Sequence, residues 1–323
     1  MSTSVVKKYV QKMQKLRRGE KGNEGPAPHK PLLLLVVIGF IRQGQIVENK
    51  IFPSPDLAET FLKYWTKIIT NRTPNFAMPF FHLKGDKFWH LYPNRGQKGK
   101  LKTIRKIRKI SDLLEIVHYA TLDADLFELL VNAEDRKVIR QTLINKYFPD
   151  SKPEIESLLA EEQQIGEYRQ LLIQEVTEHP FYFKESTESI KEKNPNRSEA
   201  FRREIKRIYN YTCVVCRSRI LTTEGKSAVE AAHIIPFSDT KDDNIRNGIS
   251  LCKLHHWAFD EGLISFSKTY KIMISDLIVE EGPAEWMLTE LRGKPILLPK
   301  HNLLFPDQNA LKWHREKIFK KET

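Results

Sequence analysis

All three cysteines of this 323-residue chain fall in one short segment, where two pairs of residues have metal-binding spacing. Cys213 and Cys216 form a C-x2-C pair, and Cys252 and His255 form a C-x2-H pair. Together they supply a Cys3His set suited to tetrahedral zinc, and a site with four protein ligands is closed to substrate. The spacing therefore predicts a structural Zn²⁺ site. The alternative is a group of buried free thiols beside a surface histidine.

Charge and cysteine content restrict the compartment and the partner. An odd number of cysteines argues against a disulfide framework and favours a reduced cytoplasm. The 53 Lys and Arg exceed the 41 Asp and Glu, giving a net charge of +12, and such an excess favours a polyanionic partner. No secretory signal is evident, and the apolar run from Leu32 to Ile38 is too short for a membrane span of about 20 residues. We therefore expect a cytoplasmic protein with no membrane partner, although charge alone does not separate DNA from RNA or from an acidic membrane surface.

The residue pattern divides the chain into three predicted parts. Residues 1–150 predict a mixed α/β domain with a helix at 3–18, a buried helix from Pro31, a hairpin at 72–92 and helices at 111–148. Residues 151–197 are polar and predict a helical connector and an exposed linker. Residues 198–323 begin with a helix and then carry the cysteine segment. The expected fold class is α+β.

A second set of polar residues, His233, Asn247 and His256, is interleaved with the zinc ligands. With the local sequences A-H-I-I-P, N-G-I-S-L-C and H-H-W-A-F-D-E-G, it resembles the HNH endonuclease family over about residues 205–265. The resemblance implies a ββα-metal fold that hydrolyses phosphodiester bonds with Mg²⁺, Mn²⁺ or another divalent ion. It makes His233 the general base, a role that suits a neutral imidazole. Asn247 would hold its loop and orient the base, or ligate the metal as in some members.

The catalytic ion is expected on the helix that follows the second strand. His256 and Asp260 are four residues apart, so they face the same side of a helix and can grip one ion. The alternative for Asp260 is a surface carboxylate. Many HNH enzymes have an Asp or His ligand directly before the catalytic histidine, but this chain has Ala232. Glu230 is therefore expected to hold an imidazole or another helix residue rather than the metal.

Two segments of the first part, P-H-K-P-L-L-L-L and A-M-P-F-F-H-L-K-G-D-K-F-W-H-L, are also informative. They resemble the DNA sulfur-binding domain of McrA-like, modification-dependent restriction endonucleases, over about residues 5–150. That domain recognises phosphorothioate DNA through a small apolar pocket flanked by basic side chains. The resemblance implies that Met78, Pro79 and His82 meet the sulfur and that His29 and Lys30 meet the phosphate charge. An apolar pocket favours sulfur because an oxyanion costs more to desolvate.

Two residues depart from the sulfur-binding pattern. An arginine is expected where Lys30 stands and an aromatic residue where Met78 stands, so another mark, such as a modified base, stays open. The basic run from Lys98 to Lys109, including Lys102 and Arg105, could follow a phosphate backbone or be a solvated face.

The resulting hypothesis is a bacterial or archaeal endonuclease that cuts modified double-stranded DNA, as a homodimer or by successive nicks. The alternatives are an HNH anti-phage or methylcytosine-directed nuclease, and a non-enzymatic zinc-knuckle DNA-binding protein.

Overall fold

A computed structural model describes residues 3–19, 26–178, 195–222, 226–240 and 243–321. The chain forms two compact units, one of Met1–Gln163 with Leu221–Lys226 and one of Gln164–Ile220 with Ser227–Thr323. Both contain helices and small antiparallel sheets, which confirms the α+β class. None of the helices within the described residues has the length and apolar character needed to cross a membrane.

The first unit is built around one helix that is apolar on every side. This helix, α2, spans His29–Arg42, and its residues from Pro31 to Ile41 are all buried. A helix of this kind must be enclosed by other elements, and α3, α4, α7 and α8 pack against it. The elements of this unit are α1 (Thr3–Gln14), α2, α3 (Pro55–Ile68), α4 (Ala77–His82), β1 (Trp89–Pro93), α5 (Lys98–Thr103), α6 (Ile110–Ile116), β2 (Val117–Leu122), α7 (Ala124–Val131), α8 (Ala133–Tyr147) and the first part of α9 (Lys152–Glu178).

The predicted hairpin at 72–92 is wrong. Its first half is the short helix α4, followed by a 3-10 turn at Leu83–Asp86. Pro79 lies in the first helical turn, where its missing N–H removes no intrahelical bond. Phe76 and Phe80, one turn apart, have ring centroids 5.6 Å apart and are both buried. The closely spaced aromatic residues, which suggested a strand, therefore belong to a short helix that packs into the core.

The prediction that residues 111–148 are all helical is also wrong, because β2 interrupts the helices. Trp89 pairs with Leu122 and Tyr92 pairs with Tyr119 in an antiparallel ladder between β1 and β2. The segment V-H-Y-A-T-L alternates buried and more exposed residues in part, and β-branched and aromatic residues favour a strand. The partner of β1 is thus distant in sequence.

Two β-strands and one helix of the second unit form a ββα element. Strand β3 (Val229–His233) pairs antiparallel with β4 (Gly248–Cys252), and helix α12 (Lys253–Asp260) packs against both. Gly248 lies so close to Ile205 and Phe201 of α10 (Pro195–Ile208) that a Cβ atom there would overlap them. The other elements are the last part of α9, α11 (Phe237–Thr240), β5 (Ile264–Phe266), β6 (Ile272–Ile274) and α13 (Gln308–Lys317).

The predicted connector at 151–197 is partly helical. α9 accounts for residues 152–178, and α10 begins at Pro195. The rest of the predicted linker, 179–194, lies outside the described residues.

The C-terminal tail closes the second unit. His314 of α13 is buried and its ring stacks on Phe259, with centroids 3.7 Å apart. Through this packing the tail supports the core of the second unit.

Candidate functional sites

The Cys3His set predicted from spacing comes together in the second unit. The ligand atoms of Cys213, Cys216, Cys252 and His255 all lie within 4.8 Å of one another. Cys216 Sγ is 4.0 Å from Cys252 Sγ, and two sulfurs about 2.3 Å from a tetrahedral zinc would be about 3.8 Å apart. The donor set therefore fits Zn²⁺. The first pair lies in a turn after α10, and the second spans the junction of β4 and α12.

The electrostatics of this cluster favour the ligand form of sulfur at Cys216 and Cys252, whereas hydrogen bonding to these two cysteines raises the pKa of the Cys213 thiol. Hydrogen bonding from Cys213 lowers the pKa of the Cys216 thiol, which also lies 2.9 Å from the Ser218 hydroxyl. Thiolates, not thiols, bind metal.

His256 faces carboxylates on both of its ring nitrogens. Its Nδ1 atom is 2.9 Å from Glu230 Oε2 on β3, and its Nε2 atom is 3.5 Å from Asp260 Oδ2 one turn along α12. Nitrogen and oxygen ligands about 2.1 Å from one divalent ion are separated by about 3–3.5 Å, so Nε2 and Oδ2 fit a shared cation. Glu230 takes the other nitrogen, as carboxylates commonly do behind a metal-bound histidine.

Asp260 lies in a region of accumulated negative charge. Partial burial raises the pKa of its carboxyl, and Glu261 and Glu230 add to this rise while His256 opposes it.

His233 stands at the end of β3 between an aromatic ring and a buried acid. Its ring stacks on Phe201, with centroids 4.1 Å apart and planes 8° from parallel. Its Nε2 atom lies 3.0 Å from Asp243 Oδ1, and Asp243 Oδ2 accepts a hydrogen bond from Arg197 Nε at 3.0 Å. The motif did not single out Asp243, because Asp239, Asp242 and Asp243 all lie between His233 and Asn247.

Asn247 is wholly buried and both ends of its amide are occupied. Its Oδ1 atom accepts from Ile235 N at 2.9 Å, and its Nδ2 atom donates to Ile235 O at 3.0 Å. These two hydrogen bonds tie the start of β4 to the end of β3. Of the two roles left open for Asn247, the geometry favours holding the loop over ligating a metal.

In the first unit, a cavity of about 630 Å³ gathers most of the residues predicted to read DNA. It brings together His29 and Lys30 from α2, Met78, Pro79 and His82 from α4, and Arg105 from the segment after α5. Lys102 does not line it and is exposed on α5. The remaining lining residues are Lys106, which belongs to the predicted basic run, and five that the sequence did not single out: Arg17, Arg18, Gly19, Ala27 and Gly85.

The charges in the cavity differ from the sequence expectation that Lys30 and His29 meet the phosphate charge. Lys30 Nζ lies 2.6 Å from Asp86 Oδ2, and both side chains are largely buried. Burial lowers the pKa of His29 to about 4, and its ring contacts that of Trp65 at a centroid distance of 4.2 Å. Both side chains therefore add little net charge at neutral pH.

The second histidine of the cavity, His82, is also kept uncharged. Burial lowers the pKa of His82, and Lys30, Lys84 and Lys106 lower it further. The positive charge facing the cavity comes instead from Arg17, Arg18, Arg105 and Lys106. Arg18 is held over the ring of Tyr147, with its guanidinium carbon 4.5 Å from the ring centroid.

Comparisons with known families confirm both resemblances predicted from the sequence. Residues 213–267 match the HNH endonuclease family, and residues 6–161 match the family described as ScoMcrA-like, DNA sulfur-binding domain. No functionally curated protein matches the chain.

Among solved structures, the chain is similar to the modification-dependent TagI restriction endonuclease, with 21% identity and a TM-score of 0.31. This alignment covers 40% of the chain and 44% of TagI. The sulfur-binding domain of SprMcrA complexed with phosphorothioated DNA aligns at 19% identity over 49% of the chain and 96% of that domain, with a TM-score of 0.37. ScoMcrA, a type IV phosphorothioation-dependent restriction endonuclease, aligns at 12% identity over 77% of the chain and 93% of its own, with a TM-score of 0.34.

Proposed function

Because the chain combines a ScoMcrA-like DNA sulfur-binding domain with an HNH endonuclease domain, we propose that it is a modification-dependent DNA endonuclease. It recognises phosphorothioate linkages in double-stranded DNA and hydrolyses phosphodiester bonds. The observation that carries this proposal is the cavity of the first unit. Six residues predicted from the sequence, drawn from three separate segments, line one surface there.

The cavity is chemically suited to a sulfur-substituted phosphate. Met78, Pro79 and two uncharged imidazoles offer a weakly polar surface to sulfur, which is larger and less strongly hydrated than oxygen. An unmodified phosphate oxygen would have to lose its water without gaining a charge partner at that surface. The phosphorothioate diester keeps its single negative charge, which sulfur shares with the remaining non-bridging oxygen, and Arg105 and Lys106 at the cavity provide cations for it.

In the nuclease unit, each residue has a task that its contacts support. His233 takes the proton of the attacking water. His256 and Asp260 would hold a divalent ion such as Mg²⁺ or Mn²⁺, with Glu230 orienting the His256 ring. Such an ion, when bound, supplies positive charge to the scissile phosphate. Asn247 holds the loop that positions His233, and the Cys3His site would hold Zn²⁺ and stabilise the unit.

The direct test is cleavage of matched plasmids with and without phosphorothioate linkages, each in Mg²⁺, in Mn²⁺ and in EDTA. We expect cutting of the modified plasmid alone, and only with a divalent ion. Equal cutting of both plasmids would contradict the dependence on sulfur while leaving the nuclease assignment intact. Following nicked and linear products separates paired cleavage, as by a homodimer, from successive nicks.

Variants of the first unit separate reading of the mark from general DNA binding. Met78→Ala or Pro79→Ala should reduce the preference for modified DNA, because each removes apolar surface at the cavity. The matched control is Lys102→Ala, a cation outside the cavity, which should weaken binding to both DNAs about equally. Arg105→Ala should also weaken both, since it removes a charge rather than a sulfur contact. A preference unchanged by the two cavity variants would contradict the assignment of the cavity.

A further inference from the structure

A buried carboxylate stands directly behind the histidine assigned as general base. The Asp243 side chain is only 2% exposed, and its two oxygens have different partners. Oδ2 accepts from Arg197 Nε and Oδ1 lies 3.0 Å from His233 Nε2. Arg197 holds one oxygen, and so the other stays directed at the imidazole.

These contacts determine where the imidazole carries its proton. An ionised carboxylate only accepts hydrogen bonds, so the nitrogen facing Asp243 is the protonated one. The lone pair of neutral His233 is then on Nδ1. Within the described part of the chain, Nδ1 makes no hydrogen bond, which leaves it available to a water molecule.

The ring is also restrained against turning over. Phe201 lies parallel to it on one side at 4.1 Å, and Phe237 has its centroid 6.0 Å away. A half-turn of the ring would exchange the two edges and lose the contact between Nε2 and Asp243. The stack on Phe201 and the contact with Asp243 therefore both hold the His233 ring in the same orientation.

We propose that Asp243 is a positioning residue of the nuclease site, acting through His233. It selects the Nε2–H tautomer, so that Nδ1 is the atom that accepts the proton from water. In that step a water O–H bond breaks, its proton goes to Nδ1, and the oxygen's electron pair forms the new bond to phosphorus. The P–O bond to the leaving oxygen breaks and its electron pair departs with that oxygen. The imidazolium that forms is stabilised by the neighbouring carboxylate.

This proposal rests on the proposed function and is tested by Asp243→Asn in the full-length, zinc-containing protein. Asparagine keeps the shape but can present an N–H to Nε2, which favours the wrong tautomer. We expect kcat on modified DNA to fall at least about 10²-fold, with DNA affinity changed less than about threefold. An Asp-to-Asn change behind the histidine of a serine protease lowers kcat about 10⁴-fold for this reason. The matched control is Asp239→Asn, which changes an exposed carboxylate of α11 in the same connection between β3 and β4 and should cut like wild type.

The second readout is the tautomer itself, observed by ¹⁵N NMR of histidine-labelled protein, with the His233 signal assigned by its loss in His233→Ala. The wild-type protein should carry the proton on Nε2, and Asp243→Asn should shift it toward Nδ1. A proton on Nδ1 in wild type overturns the proposal, whether or not the variant folds. The proposal is also overturned if Asp243→Asn has a kcat near that of wild type. It is overturned as well if Asp243→Asn loses activity together with zinc while the His233 tautomer stays unchanged.

His233→Ala measured in parallel distinguishes the two levels of inference. If His233→Ala is inactive but Asp243→Asn cuts normally, only the positioning role is wrong. If His233→Ala itself cuts like wild type, the assignment of the base is wrong, and the role of Asp243 falls with it.

Discussion

Replacing Asn247 by alanine tests whether the central residue of the nuclease motif is a scaffold or a metal ligand. In the structure its amide is consumed by the backbone N–H and C=O of Ile235, at 2.9 and 3.0 Å. Both residues are fully buried. Asn247→Ala therefore leaves one buried donor and one buried acceptor without a partner.

The expected cost follows from these two groups. A buried polar group left unsatisfied costs about 1–3 kcal/mol, so the variant should lose about 2–6 kcal/mol of local stability. The loss should be concentrated where Asn247 joins β3 to β4. Water entering the gap would bring the cost toward the lower end of this range.

Amide hydrogen exchange followed by mass spectrometry measures the local loss of stability, because peptides covering residues 229–252 report the opening of β3 and β4. Asn302→Ala, at an exposed asparagine of the same unit, is the control and should leave the exchange unchanged. The Mn²⁺ concentration that half-saturates the remaining cleavage should stay within about twofold of wild type. Unchanged exchange together with a tenfold higher Mn²⁺ requirement would refute the scaffold role and make Asn247 a ligand.

Three further predictions concern the metal sites and the tail. Wild type should contain about one tightly bound zinc per chain, and Cys252→Ser should lose it and unfold the second unit because a small core depends on the metal; wild-type protein without zinc would contradict the Cys3His site. Asp260→Asn should raise the half-saturating Mn²⁺ concentration about tenfold with little change in Tm, since this side chain is 62% exposed; an unchanged titration would make it a surface carboxylate. Burial lowers the pKa of His314 to about 4, so its contribution to stability is fully present above about pH 6.5 and is lost as the pH falls toward 4, by up to about 3 kcal/mol. Urea denaturation of wild type and His314→Gln across this range should show a steeper decline in wild type, and parallel declines would contradict the assignment.

Features that depend on short spacings were predictable from the sequence. Two residues between paired ligands, and four residues between His256 and Asp260, place side chains together through local geometry alone. The contact between Glu230 and the His256 imidazole is also predictable, since a carboxylate three residues before His233 on a strand faces the opposite side and cannot readily reach the metal.

Secondary structure was less certain where a segment is densely apolar. Residues 76–83 carry so many aromatic side chains that neither a period of two nor one of 3.6 stands out. The segment is a helix because Phe76 and Phe80, one turn apart, both find partners in the core. β1 pairs with β2 rather than with the preceding segment, and no local signal specifies such a distant partner.

The sequence by itself determined the Cys3His cluster, the HNH motif and the identity of half of the residues that line the cavity, because these follow from local spacing or from recognisable motifs. Only the tertiary structure decided how those residues are charged and oriented. Lys30 is neutralised by Asp86, 56 positions away in the chain, and Asp243 reaches His233 from a loop that holds other acids. Such pairings depend on how distant segments pack, and burial then sets the strength of each interaction, because a charge removed from water must find a partner.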